Sequence, residues 1–342
     1  MKTKILESNE ENIHIAAGII RQGGLVAFPT ETVYGLGADA LNPDAVGKVY
    51  AAKGRPSDNP MIVHIAKPED FEKLTPSLSP VVRKLMEAFW PGPLTMVVRR
   101  KPEVPDVTTG GLDTVGVRMP DNKTALALIE YSGTPIAAPS ANISGRPSPT
   151  RPGHVIHDLD GRIDAILTGG DCRVGIESTV LDVTTDEPVI LRPGIITKKE
   201  LEKALGLPVS IDPALLQKRP AEKGKGLGGD DPEFHPKAPG MKYRHYAPKA
   251  EMVIVRGRRD AVEKEVERLR GENEKAGRKV GVILFGEQAF AEAAHDFFAD
   301  LRAMDECGTD LIIAGALSDT DGVGFAVMNR MLKSAGYNII EV

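Results

Sequence analysis

"FPTETVYGLGADA" occupies Phe28 to Ala40, and the fold turns on how it is read. Gly35-Leu36-Gly37-Ala38-Asp39-Ala40 fits G-x-G-x-x-G/A, the fingerprint of a dinucleotide-binding strand–turn–helix. That fingerprint needs its first glycine in the turn directly after the strand, so that a helix N-terminus meets the pyrophosphate. Here Pro29 to Tyr34 intervene after the apolar run "LVAFP". No second strand ending in an acidic residue follows at the required distance. The stretch therefore reads as a polar loop. It carries the Thr30 and Thr32 hydroxyls, the Glu31 carboxylate and glycines that permit close backbone approach to a ligand. No nicotinamide or flavin is expected.

Outward from this loop, short apolar strands alternate with helical patterns. "NEENIHIAAGIIRQGG" predicts a helix capped by Asn9 and ended by Gly23 or Gly24, and "PDAVGKVYAAKG" a second one ending near Gly54. "SPVVRKLMEAFWPG" and "NKTALALIEYSG" are further helices. "MIVHIA", "LTMVVRR", "TVGVRMP", "PIAAPS", "AILTGG", "STVLDVT" and "PVILRPG" predict strands. Several lie close enough in sequence to pair antiparallel, so the expected first domain, residues 1–208, is a twisted mixed sheet with helices packed on it. Residues 209–249 are dense in Gly, Pro and charge and read as a linker, with Tyr243, His245 and Tyr246 clustered near its end. Residues 250–342 alternate strand and helix in strict turn, which predicts a small Rossmann-like parallel sheet. No G-x-x-x-x-G-K-[ST] occurs, so a P-loop is excluded.

The 342 residues suit two domains, each with its own core. A net charge of −5 argues against binding driven by nucleic-acid phosphates. The two cysteines, Cys172 and Cys307, are far apart, which argues against a disulfide framework or structural zinc. The N-terminus lacks the apolar core of a signal peptide, and no run approaches the ~20 apolar residues of a membrane helix. A cytoplasmic protein without membrane association is expected.

Three further stretches could carry chemistry. "KGRPSDNP", Lys53 to Pro60, sets two cations around a glycine, with Pro56 and Pro60 expected to hold it extended. Lysine as a point charge and arginine as a bidentate fork suit polyphosphate, although a solvated helix C-cap has the same composition. "PSANISGRPSPT", Pro139 to Thr150, brings Ser140, Asn142, Ser144 and Ser148 to a strand end, where α/β sheets place ligands. His64, Arg118 and Arg192 sit inside apolar strands, where an arginine needs an anionic partner or water. No G-x-S-x-G elbow or H-E-x-x-H is present, so an activated nucleophile is not expected. The composition points to binding and polarising phosphates, and to catalysis by positioning and electrostatics.

"PTETVYGLG", "KGRPSDNP", "PSANISG" and "ESTVLD…ILRPG", in this order, closely resemble the YrdC-like family of threonylcarbamoyl-AMP synthases. The likeness runs from Asn9 to about Leu207, and the linker ending "HYAP" with the C-terminal unit matches the long form. The resemblance implies that L-threonine, bicarbonate and ATP give L-threonylcarbamoyl-AMP and pyrophosphate, with Mg2+ accompanying ATP. The product would feed the threonylcarbamoyladenosine modification of ANN-decoding tRNAs through a downstream transferase complex, with direct tRNA binding weak or absent. It implies a threonine site of Thr32, His64, Arg118, Ser178 and the Ala138 main chain. It implies an ATP site of Arg55, Asn59, Thr114, Ser140, Asn142, Ser148, Arg192 and Tyr246. Lys53 and Arg55 would neutralise phosphate charge, and the linker would close as a lid; metal ligands stay unassigned. Two other readings are a carbamoyl-adenylating module, whose usual zinc fingers two lone cysteines cannot build, and an RNA-binding module.

Overall fold

A computed structural model describes residues 2–76, 78–216, 236, 238, 245–286, 289–318 and 322–342. The first part runs β1 (Lys4–Glu7), α1 (Glu10–Arg21), β2 (Val26–Phe28), β3 (Gly35–Asp39), α2 (Pro43–Lys53), β4 (Ile62–His64), α3 (Pro80–Phe89), β5 (Leu94–Arg99) and α4 (Asp106–Thr109). It continues β6 (Thr114–Arg118), α5 (Lys123–Ser132), β7 (Ile136–Ala137), α6 (Pro152–Leu159), β8 (Ala165–Thr168), β9 (Thr179–Asp182), β10 (Val189–Arg192), α7 (Lys198–Leu205), β11 (Ser210–Ile211) and α8 (Pro213–Leu216). The second part is β12 (Glu251–Arg256), α9 (Arg259–Lys275), β13 (Val280–Ile283), α10 (Phe290–Glu306), β14 (Leu311–Gly315), α11 (Val323–Ser334) and β15 (Ile339–Glu341).

Local chemistry sets the helix ends. Asn9 caps α1, its side chain accepting from the Asn12 N–H at 2.9 Å. Asn42 caps α2, and Gly54 ends it at φ 62°, a left-handed turn that favours glycine. Strands of the first part form one mixed sheet in the order β1-β8-β2-β3-β7-β4-β6-β5-β9-β10-β11. Helices α1 and α5 bury one face through Ile13, Ile20 and Leu128, while α2, α3 and α6 bury the other through Val49, Leu85 and Val155. The mixed sheet and the second, all-parallel sheet, ordered β13-β14-β12-β15, are as the sequence predicts.

The opening motif differs from its reading as a loop. Gly35 to Asp39 form β3, antiparallel to β2 and to β7. A Cβ on Gly37 would meet the Phe28 ring and Ile136 Cγ2, each at 2.8 Å. Gly37 therefore makes room for an aromatic ring on the sheet face rather than for a ligand. The match to the dinucleotide fingerprint lies in a strand, and the next helix, α2, starts only at Pro43. "KGRPSDNP" is not extended either: the Asn59 N–H donates to the Pro56 carbonyl, closing a turn that the Arg55 guanidinium fastens from Asn59 O and Pro60 O. Of the segment read as a linker, Ser210 and Ile211 pair with β10 as an edge strand. Tyr243 lies outside the described residues.

Two buried ion pairs join the parts. Arg330 of α11, fully buried, places Nε 3.1 Å from Glu177 Oε2 and donates from Nη1 to the Pro193 carbonyl at 2.6 Å. Arg302 of α10 grips Asp158 at 2.9 and 3.3 Å. Between them, Gly175 (φ 85°) packs so tightly on α10 that a Cβ there would lie 2.3 Å from the His295 carbonyl oxygen. Burial pushes the Glu177 carboxyl up, but the Arg330 and Arg192 charges and the Ser148 hydrogen bond together outweigh it and hold the group below its ordinary 4.5. Burial raises Asp158 as well, and the hydrogen bond and charge of Arg302, with the Ile143 N–H and Arg146, together bring it below 3.8. Both carboxylates therefore stabilise the joint fully above those values, and that contribution is lost as pH falls below them.

Removing one member of a buried pair strands the other charge and costs about 3–5 kcal/mol. Arg330→Met is expected to lose about that much unfolding free energy in urea at pH 7. A loss under about 1 kcal/mol would show that the pair contributes little.

Candidate active site

Strand register brings the first cluster together. β4 and β6 are parallel neighbours with His64 opposite Arg118, so both side chains leave the sheet on one face. The β2–β3 connection lies against them. Arg118 donates from Nη1 to Thr32 Oγ1 at 2.9 Å and from Nε to the Gly92 carbonyl at 3.2 Å. Its Nη2 lies 2.5 Å from Glu31 Oε2, in charge contact but outside hydrogen-bond alignment. The arginine that looked misplaced in an apolar strand thus has a buried carboxylate partner inside the fold. Ser178, at the entry to β9, is fixed by Thr95 Oγ1 at 2.8 Å and by Arg192. His64 is buried, and its Nδ1 has no hydrogen-bond partner among the described residues. Burial, then the Arg118 charge, pulls its pKa down to about 3.

The second cluster is cationic. Lys53, at the end of α2, donates from Nζ to the Ser140 and Asn142 carbonyls, both at 2.5 Å. It thereby staples the loop after β7, while its own carbonyl accepts from the Ser144 N–H. Ser140 Oγ donates to Asn142 Oδ1 at 2.5 Å, and Asn142 Nδ2 to the Ile143 and Arg146 carbonyls. Arg192, buried in β10, donates to the Ser178 carbonyl at 3.0 and 3.1 Å. Burial, then the Arg55 charge, lowers Lys53 well below its ordinary value, and burial lowers Arg55 to about 10 against the opposing Tyr50 and Tyr246. Burial also lowers Arg192, despite the compensating Tyr246 and Glu177. Three cations thus face one space in which their charge is poorly solvated, a setting that an anionic ligand relieves.

These clusters line one cavity of about 730 Å3, its open mouth included. Small-molecule sites span roughly 300–1,000 Å3. Thr32, Lys53, Arg55, His64, Arg118, Ala138, Ser140, Asn142, Ser178, Arg192 and Tyr246 line it together. The other expected residues stand back from the wall. Asn59 is buried beneath Arg55, and neither side-chain polar atom has a partner among the described residues. Thr114 starts β6 opposite Arg99, and Ser148 is buried behind the wall, donating to Glu177 Oε1 at 2.5 Å. Tyr246 has φ 65°, a strained value for a bulky residue, and packs on the Phe298 ring at 5.1 Å. Residues not singled out as site residues beforehand also line the space. His245, Arg146 and Glu177 are among them. A buried acid beside the "ST" of "GIESTVLD" was the available signal for Glu177.

Residues 18–194 match the Sua5/YciO/YrdC family profile described as "Telomere recombination", and residues 196–336 match "Threonylcarbamoyl-AMP synthase, C-terminal domain". The chain is 50% identical to the threonylcarbamoyl-AMP synthase of Pyrococcus abyssi, covering 97% of this chain and 96% of that one. The chain belongs to the threonylcarbamoyl-AMP synthase family. The Bacillus subtilis member of the same name is 46% identical over 99% of this chain and 97% of its own. The crystal structure of the P. abyssi synthase family member Sua5 complexed with L-threonine superposes with a TM-score of 0.90, covering the whole of both chains at 47% identity. The two-part architecture of this synthase family, a large mixed sheet followed by a small parallel one, is therefore that of the present chain. No helix among the described residues is long and apolar enough to cross a membrane.

The depressed pKa makes His64 a neutral hydrogen-bonding group throughout the physiological range. Its ring resonances, followed by NMR, are expected to stay flat from pH 8 to 5. A titration midpoint near 6.5 would contradict the environment described for it.

Proposed function

We propose that this chain joins L-threonine, bicarbonate and ATP into L-threonylcarbamoyl-AMP with release of pyrophosphate. The observation that carries the reading is the group of buried, charge-stressed cations, Lys53, Arg55 and Arg192, sharing one cavity with neutral His64 and with Arg118. The cationic end suits a triphosphate. The His64–Arg118 end suits a small zwitterion, with Thr32, Ser178 and the Ala138 main chain around it. The relatives' names, and L-threonine in one relative's crystal structure, support the choice of these ligands.

The reaction has two steps. The threonine ammonium first gives up a proton, and the free amine then attacks the carbon of bicarbonate and expels water to give a carbamate. A carbamate oxygen then attacks the α-phosphorus, and pyrophosphate leaves. Arg118 would hold the threonine carboxylate, exchanging part of its contact with Glu31 for the ligand. Arg55 and Arg192 would take phosphate oxygens. Lys53 would act beside them while keeping the Ser140–Asn142 loop closed, and Asn59 and Thr114 would serve from behind the wall. Ser148 would act through Glu177. Tyr246 and His245 in the lining would exclude water, which matters because a mixed anhydride with AMP hydrolyses readily. The product would pass to a transferase complex that modifies tRNA. As for Mg2+, no group of three His, Cys, Asp or Glu side chains comes together among the described residues, and Glu177 is engaged by Arg330 and Ser148. The donor set does not fit a resident metal, so no step is routed through one.

Pyrophosphate release should need ATP, threonine and bicarbonate together. Arg118→Ala is expected to raise the threonine KM about 30-fold or more, equivalent to about 2 kcal/mol, and Tyr246→Ala to lower turnover. Release that ignores threonine but requires carbamoyl phosphate would replace this reading with carbamoyl adenylation. RNA retention without any release would replace it with a binding module.

A further inference from the structure

The second part of the chain touches the wall of the cavity at one place that the reaction scheme does not use. The loop after β7 carries Ser140, Asn142, Ser144, Gly145 and Arg146 along the cavity. Its far side is held from outside the first domain. Arg302, near the C-terminal end of α10, is 6% exposed and lies more than a hundred residues further along the chain. Its guanidinium donates twice to the Pro147 carbonyl, from Nη2 at 2.6 Å and from Nε at 3.1 Å. The remaining edge forks onto Asp158, Nη2 to Oδ2 at 2.9 Å and Nη1 to Oδ1 at 3.3 Å. Asp158 in turn accepts from the Ile143 backbone N–H at 3.3 Å. The loop is thus gripped at both ends of its 143–147 stretch, directly at Pro147 and through Asp158 at Ile143. Between those points, the Gly145 carbonyl accepts from the Ala247 N–H at 2.8 Å.

Asp158 also meets Arg146, Nη1 to Oδ1 at 3.3 Å. The same carboxylate oxygen takes Arg302 Nη1 at the same distance, so Arg146 does not have it to itself. Arg146 keeps 35% of its side chain exposed and lines the cavity. With Arg302 sharing Asp158, the loop arginine is held by one long contact and keeps its place in the cavity lining. Without Arg302, the buried carboxylate would have Arg146 as its sole remaining guanidinium and would draw it inward.

We propose that Arg302 is a positioning residue for nucleotide binding: from the C-terminal domain it sets the conformation of the 143–147 loop and keeps Arg146 directed at the cavity, so that the ATP end of the site is complete only with the second domain in place. The inference rests on assigning this loop to ATP. The threonine cluster around His64 and Arg118 has no contact with Arg302, and this separates positioning from general destabilisation.

The test uses the full-length chain. Equilibrium binding of a non-hydrolysable ATP analogue and of L-threonine is measured separately for wild type, Arg302→Met and Arg302→Lys, with thermal melts alongside. Expected is a tenfold or greater loss of analogue affinity in Arg302→Met, with threonine affinity changed less than about twofold. Arg302→Lys, which keeps a cation for Asp158 but loses the fork that reaches Pro147, should fall between the two. If Arg302→Met does not fold, the same split in Arg302→Lys decides. Equal losses for both ligands, or a lowered melting temperature with both affinities intact, would overturn the proposal. Wild type that binds threonine but no analogue would instead remove the ATP assignment on which it rests.

Discussion

A fully buried guanidinium between two domains fixes the site. Arg330 lies on Glu177 and on the Pro193 carbonyl at once. Those residues neighbour Ser178 and Arg192, which meet in the cavity wall. A charge without water must keep its partners, because the penalty for losing them far exceeds the small margin by which proteins are stable. Two chain segments that the β9–β10 pairing already brings near each other are therefore held at one separation. Arg302 does the same for the loop on the opposite wall. The second domain's apolar core supports both arginines and extends into the first, taking in Val33 and Ile176.

The cavity combines two electrostatic styles. At one end the charge is internally balanced, with Arg118 on Glu31 and a histidine kept neutral. A zwitterionic ligand can enter there with little net change in field. At the other end, cations outnumber their partners, and burial works against each of them. An anionic ligand would relieve that end. The division follows from topology. β4 and β6 deliver His64 and Arg118 in register, whereas Lys53 and Arg55 come from the end of α2 and the turn after it.

Much of this was legible in the sequence because it rests on local rules. Apolar runs marked β4, β6 and β10, Asn9 and the Gly23–Gly24 pair marked the ends of α1, and Gly54 marked the end of α2. Polar residues inside apolar strands then pointed to one cavity. β3 was missed because its glycines look like a ligand loop, when they in fact accommodate the Phe28 ring across the sheet. "KGRPSDNP" was misread because its turn is tied by a side chain, Arg55, rather than set by its prolines. Arg302 and Arg330 gave no warning. An arginine on an amphipathic helix ordinarily reaches solvent, and only the packing of one domain on the other shows that these two do not.

The contact at Gly175 bears on how molecules enter and leave. A backbone with no side chain is pressed against the carbonyl of His295 on α10, flanked by two buried ion pairs. Swinging the halves apart would expose all of these groups together, so the joint behaves as a weld rather than a hinge. Ligands then reach the cavity without the domains parting, past a lining that includes Tyr246 with its left-handed backbone.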